Sequence, residues 1–443
     1  AEGGNSKATN SLLLTRWDYY KELGCPEIKN PDDYLNLLSQ MQKNHPTTDD
    51  GLPVYGFSLY NADNALYPVT MYMRCFGTQG YNEWIDTRVD DNSFCYAYTE
   101  EDSPFWKSLD FFRKAYNLGL LDPDSFTQKS EDEYAKAANG QVLAPMWRDH
   151  IKTIQAEWLA EDPENPRGYA ILPMEGTYIV ENKNAVVGGA FSASIAKTCK
   201  NPERVMQFLN YIYSPEGART IFSGVKGEHW DVIDGVAQPL DSAIQMKKES
   251  GDAWTKSGIS NAALYGMVGM ARGVLLDDGA PTDLYRSEGY FVKDLDAIDK
   301  DFCSYYGDYA YPNQVLLDKG TKDFANLDMR IASGYGTAPE DIQRIDTKLL
   351  DMALKAIPTL IMAGDDDSFA KLKADTIQSF NKAGADQSKE WWEGRHGELL
   401  KKSMAQPRQI MLGLFLQREI NSFSPLKTDA AIRTFFERRF GLK

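Results

Sequence analysis

NAVVGGAFSASIAKTCKNPERVMQFLNYIYSPEGARTIF, residues 184–222, is the stretch from which the fold is read. It opens with a predicted strand over Ala185–Ala196, in which Gly188, Gly189, Ala190, Ser192 and Ala193 keep the backbone approachable. A basic loop follows over Lys197–Lys200. Asn201 then stands at a helix N-cap, with Pro202 at the first helical position and Glu203 facing the positive end of the dipole. Val205, Phe208, Leu209 and Ile212 recur at i, i+3, i+4, i+7 and form one apolar stripe, the face a helix turns toward a core. Ser214-Pro215-Glu216 repeats the cap and opens a second helix, Gly217–Phe222. On physical grounds alone this is a glycine-rich strand crossing into a helical pair, a unit that many α/β proteins contain.

The totals bound what such a unit belongs to. A chain of 443 residues is too long for one compact core, so two lobes are expected. No run approaches the ~18 uncharged apolar residues of a membrane span, and no signal sequence stands in the chain. A net charge of −16 argues against nucleic acid, whose phosphates call for clustered Lys and Arg. Five cysteines (Cys25, Cys75, Cys95, Cys199, Cys303) lack CxxC spacing and four histidines (His45, His150, His229, His396) stand far apart, so no metal site is expected. A Cys75–Cys95 bridge in an oxidising compartment is one reading, and buried free thiols are the preferred one.

Working outward, Leu12-Leu13-Leu14 predicts a strand and Trp17–Leu23 a helix stopped by Gly24. Asn30 caps a helix burying Tyr34, Leu37, Leu38 and Met41. Ser103-Pro104 opens a helix burying Phe105, Leu109, Phe112 and Tyr116, closed by Gly119. Ser130 caps a helix ending at Gly140, and Gln141–Arg148 is an apolar strand with Trp147 at its end. Tyr169–Pro173 is a further strand. Beyond Asp241 the signal is mixed, with helical hints at Ala262–Leu275 and Tyr290–Ile298. Asp346 opens a helix that Pro358 should kink, and Ser388 begins a last helix containing Trp391 and Trp392. The loop His45–Gly51 invites a calcium reading, and the three aspartates of Gly364–Ser368 invite a metal reading. The first lacks the order of oxygen ligands, and the aspartates of the second read as cap and dipole partners.

The wording of these segments carries more than their periodicity. GG-x-F-S-x-S-I, K-N-P-E and M-x-F-L-N-Y-x-Y-S-P-E-G in residues 188–217 resemble the extracellular solute-binding proteins of ABC importers, the large sugar-binding family that includes the maltose-binding protein. TRWDYYKELGCPEIKNPDD (Thr15–Asp33) looks like the family's entry into its second lobe. Gln141–Trp147 is similar to its G-x-x-A-M-x-x-x-W strand, with the Trp sooner after the Met. Tyr169–Gly176 is similar to its Y-x-x-x-P-x-x-G segment, and Gly227–Gly235 to its E-G-x-x-W/Y…D-G turn. The resemblance spans about Leu12–Leu400.

What it implies is an α/β, two-lobed periplasmic-binding-protein-like fold (class II) with an incomplete N-terminal lobe and a helix-rich C-terminal part. The expected division is 1–10 loop, 11–187 second lobe, 188–300 return segment with first lobe and hinge, 301–403 C-terminal helices, and 404–443 an atypical tail. The implied function is an extracytoplasmic substrate-binding component of an ABC importer, without catalysis, cofactor or metal, taking a carbohydrate between the lobes. Its implied partners are permease subunits and the sugar itself. A monomer is expected, held at the membrane only through an upstream lipid anchor.

Sugar sites combine aromatic faces, which stack on ring faces, with amides, carboxylates and Arg, which take hydroxyls. The chain is 12% aromatic, with nine Trp and 24 Tyr. The candidate ligand-binding residues are Trp147, at the end of an apolar strand, with Arg148 and Asp149 beside it; Tyr60, Asn61 and Tyr67; and His229 and Trp230. Each ring could equally be core packing. Two other classes stay open: a glycoside hydrolase using a carboxylate pair, and a surface adhesin reusing the fold. No G-x-S-x-G, HExxH or P-loop pattern occurs.

The tail stands apart. From Lys401 onward the charge is +6 against −22 before it. Gly413–Pro425 faintly resembles the opening of the microcystinase-C-type metallopeptidases, without their His, so no metal role is implied. A gene fusion or read-through and an ordinary basic C-terminal helix are both open.

Overall fold

Backbone pairings between segments far apart in the sequence set the order of this molecule. In the computed structural model, residues 13–405 are described apart from 81–83, 147–150, 180–193, 250–251, 260–267, 269, 271, 323–327 and 333. The strands are β1 (Leu14–Arg16), β2 (Thr78–Gly80), β3 (Ile85–Arg88), β4 (Phe94–Tyr96), β5 (Tyr169–Ile171), β6 (Trp230–Ile233) and β7 (Val236–Pro239). β1 lies antiparallel to β5, with Leu14 opposite Ile171 and Arg16 opposite Tyr169. β2, β3 and β4 form an antiparallel sheet, and β6 and β7 a hairpin. Asp234 and Gly235 at its tip both have positive φ (54° and 82°), the conformation a two-residue primed turn requires.

Three further extended segments are joined in parallel, Tyr55 bridging Val142 and Phe57 bridging Leu121. Tyr55 N–H donates to Gln141 O at 2.7 Å, Leu143 N–H to Tyr55 O at 2.9 Å and Phe57 N–H to Leu120 O at 2.9 Å. Arg16 N–H donates to Leu143 O at 3.0 Å and so joins β1 to this layer.

Helices α1 (Trp17–Glu22), α2 (Pro31–Asn44), α3 (Asn61–Asn64), α4 (Tyr67–Cys75), α5 (Pro104–Asn117), α6 (Ser130–Ala138) and α7 (Ile151–Glu161) surround these strands. α2 starts as its sequence requires: Asn30 Oδ1 accepts the Asp33 N–H at 2.9 Å, and Tyr34, Leu37, Leu38 and Met41 are buried. Phe57 meets Tyr34, Phe111 and Phe112 edge to face at 5.6–6.2 Å between centroids. Each such buried ring stabilises by roughly 1.5–3 kcal/mol, so this aromatic knot outweighs any single surface contact.

Several expectations need correction. Tyr116, read as buried, is 39% exposed, one residue from the end of α5, with Phe126 edge-on to its ring at 6.3 Å. Helix α8 (Pro202–Ile212) begins at Pro202, yet the Asn201 side chain makes no capping bond. Of its apolar stripe only Ile212 is buried, and Phe208 is 45% exposed. Described residues cover one edge of that helix, through α9 (Pro215–Ser223) and Val268. Ser214 does cap α9, accepting the Gly217 N–H at 3.0 Å. The helix given to Asp346 starts earlier, spanning Glu340–Ile361, and Asp346 is buried within it. Its carboxylate accepts from Ser388 Oγ at 2.5 Å and Trp392 Nε1 at 3.0 Å, which ties down the start of the helix Ala385–Ala405. Asp365 caps the helix Asp366–Lys382 through the Ser368 N–H at 2.7 Å, so the aspartate cluster has the structural role expected of it.

None of the five cysteines is in a disulfide, and Cys75 and Cys95 are buried. The predicted strand at Ala185–Ala196 lies almost wholly outside the described residues, as do residues 1–10, most of the hint at 262–275 and the tail beyond 405. The chain divides into a unit up to Glu393 and a second from Gly394 onward. Among the described residues no helix is long and apolar enough to cross a membrane.

Candidate functional site

In sheets with parallel strands, ligands bind beyond the carboxyl ends of those strands. Here that rule points to one corner. The segments 55–57, 120–122 and 141–144 run in the same direction, and beyond their ends lie Tyr60 and Asn61, the turn 122–128, and Met146.

A buried polar network fixes the corner. Ser58 Oγ donates to Asp122 Oδ2 at 2.6 Å, and Gln128 Nε2 reaches Ser58 Oγ and Leu59 O, each at 2.6 Å. Lys136 Nζ donates to Asp122 at 2.6 Å, Asp124 at 2.8 Å and Gln128 Oε1 at 2.9 Å. Burial alone would push the Asp122 carboxyl up. The Lys136 ammonium, the Ser58 hydroxyl and the Asp124 N–H outweigh it and hold the group below its ordinary range. Asp63 accepts both the N–H and the hydroxyl of Ser130, at 2.7 and 2.8 Å, and these bonds hold α3 to the start of α6.

On this base stand three of the residues singled out from the sequence. Tyr60 is buried and Tyr67 half-buried, their rings 5.6 Å apart and tilted by 37°. Among the described residues, neither the nitrogen nor the oxygen of the Asn61 amide has a hydrogen-bond partner, although both atoms are shielded from solvent. Such a group is costly unless something else supplies the missing bonds.

A fourth residue, Glu133 on α6, escaped the sequence reading. It is 1% exposed, and its Oε1 accepts the Met146 N–H at 3.3 Å. Burial pushes its carboxyl up to about 8, only partly offset by that bond. Burial, and then the neighbouring Tyr67, Glu133 and Asp63, also raise the Tyr60 hydroxyl above its ordinary value. The sequence signal was available: Glu133 and Ala137 share the buried i, i+4 face of α6, where an acidic residue is out of place.

The other candidates fall elsewhere. Trp147, Arg148 and Asp149 lie outside the described residues, directly after Met146. His229 and Trp230 are half-buried where the 224–229 turn enters β6. His229 Nδ1 accepts the Val225 N–H at 3.1 Å, and Trp230 Nε1 donates to Gly224 O at 2.9 Å, with Arg219 stacked on the indole at 5.2 Å. Their polar atoms therefore serve this turn.

A separate cavity of about 70 Å³ lies between β1, β5, α7 and the helices Ala297–Tyr306 and Pro312–Asp318. It is well short of the ~300 Å³ of a small-molecule cleft. Among the described residues no group of three or more His, Cys, Asp or Glu is placed to hold a metal ion.

No protein-family model matches the sequence, and no curated protein does. Solved structures do. An extracellular solute-binding protein from Bifidobacterium longum subsp. infantis matches over 90% of this chain and 76% of its own, with a TM-score of 0.54 and 12% identity. An HMO-binding, ABC-transporter-associated solute-binding protein from Bifidobacterium longum infantis matches over 89% and 75%, with a TM-score of 0.52 and 11% identity. A Streptococcus pneumoniae ABC-transporter substrate-binding protein, an EF-hand mutant in complex with fructo-nystose, matches over 92% and 76%, with a TM-score of 0.50 and 14% identity. At these identities the likeness is one of fold: the chain has the α/β periplasmic-binding-protein-like fold anticipated from its sequence.

Proposed function

We propose that this protein is the extracytoplasmic substrate-binding component of an ABC importer, that its ligand is a carbohydrate, and that it performs no chemistry on it. The observation that carries the reading is the corner at the ends of the parallel segments. Two tyrosine rings, an amide with no partner among the described residues and a buried carboxyl come together there on a rigid polar base. Those are the groups a sugar ring asks for, aromatic surface for its faces and hydrogen-bonding atoms for its hydroxyls. Two proteins that share the fold are described as HMO-binding and as holding fructo-nystose, which favours an oligosaccharide.

In this reading Tyr60, Asn61 and Tyr67 contact the sugar, joined by Trp147, Arg148 and Asp149 and by the exposed faces of His229 and Trp230. The chain would divide as the sequence suggests, with a second lobe over 11–187, a return segment over 188–300, C-terminal helices over 301–403 and a distinct tail over 404–443. Its partners would be permease subunits, and it would act as a monomer outside the membrane, tethered by a lipid anchor or free in a periplasm.

A glycosidase would need two free carboxyl groups ~5–9.5 Å apart across the scissile bond. Asp122 and Asp63 are both engaged in structural bonds, which leaves Glu133 without a second free carboxyl among the described residues of the corner. The test is isothermal titration of the purified protein with nystose, maltotriose and a milk tetrasaccharide, followed by chromatography of the recovered sugar. Binding with the sugar unchanged is expected. Cleaved product would overturn the non-catalytic reading, and no binding across the panel would overturn the carbohydrate one.

A further inference from the structure

Glu133 and Asp122 are equally buried, at 1% exposure each, and belong to the same corner, yet they are treated in opposite ways. Asp122 has an ammonium, a hydroxyl and a backbone N–H. Glu133 has the single 3.3 Å bond from Met146 N–H to Oε1, and no described residue offers a bond to Oε2. A cation is close at hand: Lys136 is one turn further along α6, but it turns away to Asp122, Asp124 and Gln128. Buried carboxyl groups are normally paired. This one stands beside Tyr60 and the Met146 backbone, in the corner where the Asn61 amide also lacks a partner among the described residues.

Resting on the carbohydrate reading above, we infer that Glu133 is a ligand-recognising residue whose neutral carboxyl donates a hydrogen bond from Oε2 to a sugar oxygen. The neutral acid has one O–H to give, while its other oxygen keeps the Met146 N–H. Burial without a cation favours that form through neutral pH. The ring and glycosidic oxygens of a sugar only accept, so against one of them ionisation removes the donor and sets lone pairs against lone pairs.

The groups facing Glu133 do not confuse the expected titration. Tyr60, from the loop before α3, and Tyr169, from β5, both feel its charge, and burial raises both hydroxyls beyond the ordinary tyrosine range. Asp63, beside Tyr60, is held below the ordinary range by its bonds to Ser130 and is ionised throughout. Arg16, beside Tyr169, is paired with Asp18 and stays charged. Among the described residues, the change in this corner above neutrality therefore belongs to Glu133.

The test is calorimetric titration with nystose and maltotriose between pH 6.5 and pH 9.5, on the wild type, Glu133→Gln and Glu133→Leu. The wild type should bind about tenfold more weakly at pH 9 than at pH 7, as expected for a required proton leaving near pH 8. Glu133→Gln keeps a donor that does not titrate, so its Kd should stay within about threefold of the neutral-pH wild type and be flat with pH. Glu133→Leu keeps the bulk and should lose about tenfold or more at every pH. A wild type that binds sugar with a flat profile, or a Gln variant with the wild-type slope, overturns the inference and leaves carbohydrate binding standing. A wild type that binds neither sugar at any pH overturns both together.

Discussion

Lys136 Nζ lies 2.6 Å from Asp122 Oδ2, an ammonium on α6 reaching a carboxylate that is 1% exposed at the end of a parallel segment. This pair joins α6 to the sheet beneath the proposed ligand corner. It also accounts for the isolation of Glu133, since the nearest cation on the same helix is already taken.

Removing the ammonium should therefore destabilise more than an ordinary surface change. Lys136→Met leaves Asp122 buried among groups that cannot neutralise it, at an expected cost of about 3 kcal/mol. Urea titration at pH 7 measures this. Because the folded Asp122 carboxyl lies below its unfolded value, its contribution is present above the unfolded pKa and is lost as pH falls through the folded one. The deficit of the variant should accordingly shrink in acid.

Glu133 predicts the opposite pH dependence. Its carboxyl is raised from 4.5 to about 8, so the folded protein holds a proton that the unfolded chain releases between those values. Stability is then fully present below pH 4.5 and declines as pH rises toward 8, by about 3 kcal/mol at pH 7. Glu133→Gln should melt at a higher temperature than the wild type at pH 7–8, and the two should converge near pH 4. Equal melting temperatures across the range would show that the group ionises normally.

For Asn61, stability and function should separate. The unpartnered amide costs about 1–3 kcal/mol where it stands. Asn61→Ala should leave the melting temperature unchanged or raise it, while weakening oligosaccharide binding by about tenfold, roughly 1.4 kcal/mol. A drop in melting temperature with intact binding would assign the amide to the fold instead.

Ser388→Ala tests how the helix Ala385–Ala405 is tied to the helix Glu340–Ile361. Asp346 would keep the Trp392 Nε1 bond at 3.0 Å and lose the hydroxyl, at an expected cost of about 1–2 kcal/mol in denaturant titration. Burial already raises the Asp346 carboxyl, and the Ser388 hydroxyl is one of two groups that lower it. The variant should shift that carboxyl further upward, which carbon-detected NMR titration reads directly.

How much of this was legible in the chain depends on how far each feature reaches. Caps and turns span three or four residues, so Asn30, Ser214, Asp365 and the Asp234-Gly235 tip could be read from their neighbours and behave accordingly. The amphipathic faces of α2 and most of α5 were legible too, because 3.6-residue periodicity records which side is buried. Tyr60, Asn61 and Tyr67 were singled out through the family resemblance, within a stretch rich in aromatics and amides, and the fold brings the two rings together.

Periodicity records only the demand for a partner, and the partner itself comes from elsewhere in the chain. The α8 stripe asks for a layer that described residues supply at one edge alone, so Phe208 stays exposed. Asp346 looked like a helix start because aspartates usually stand there, but its partners, Ser388 and Trp392, are more than forty residues away. By itself the sequence determined the α/β class, most helices, and the caps at Asn30, Ser214 and Asp365, through interactions closed within a turn or two. Only the tertiary structure decided that residues 55–57 lie between 120–122 and 141–144, and that Lys136 serves Asp122 and leaves Glu133 alone. Hydrogen bonds between distant segments leave no local trace, and a carboxyl becomes unusual only when the packing around it withholds a cation.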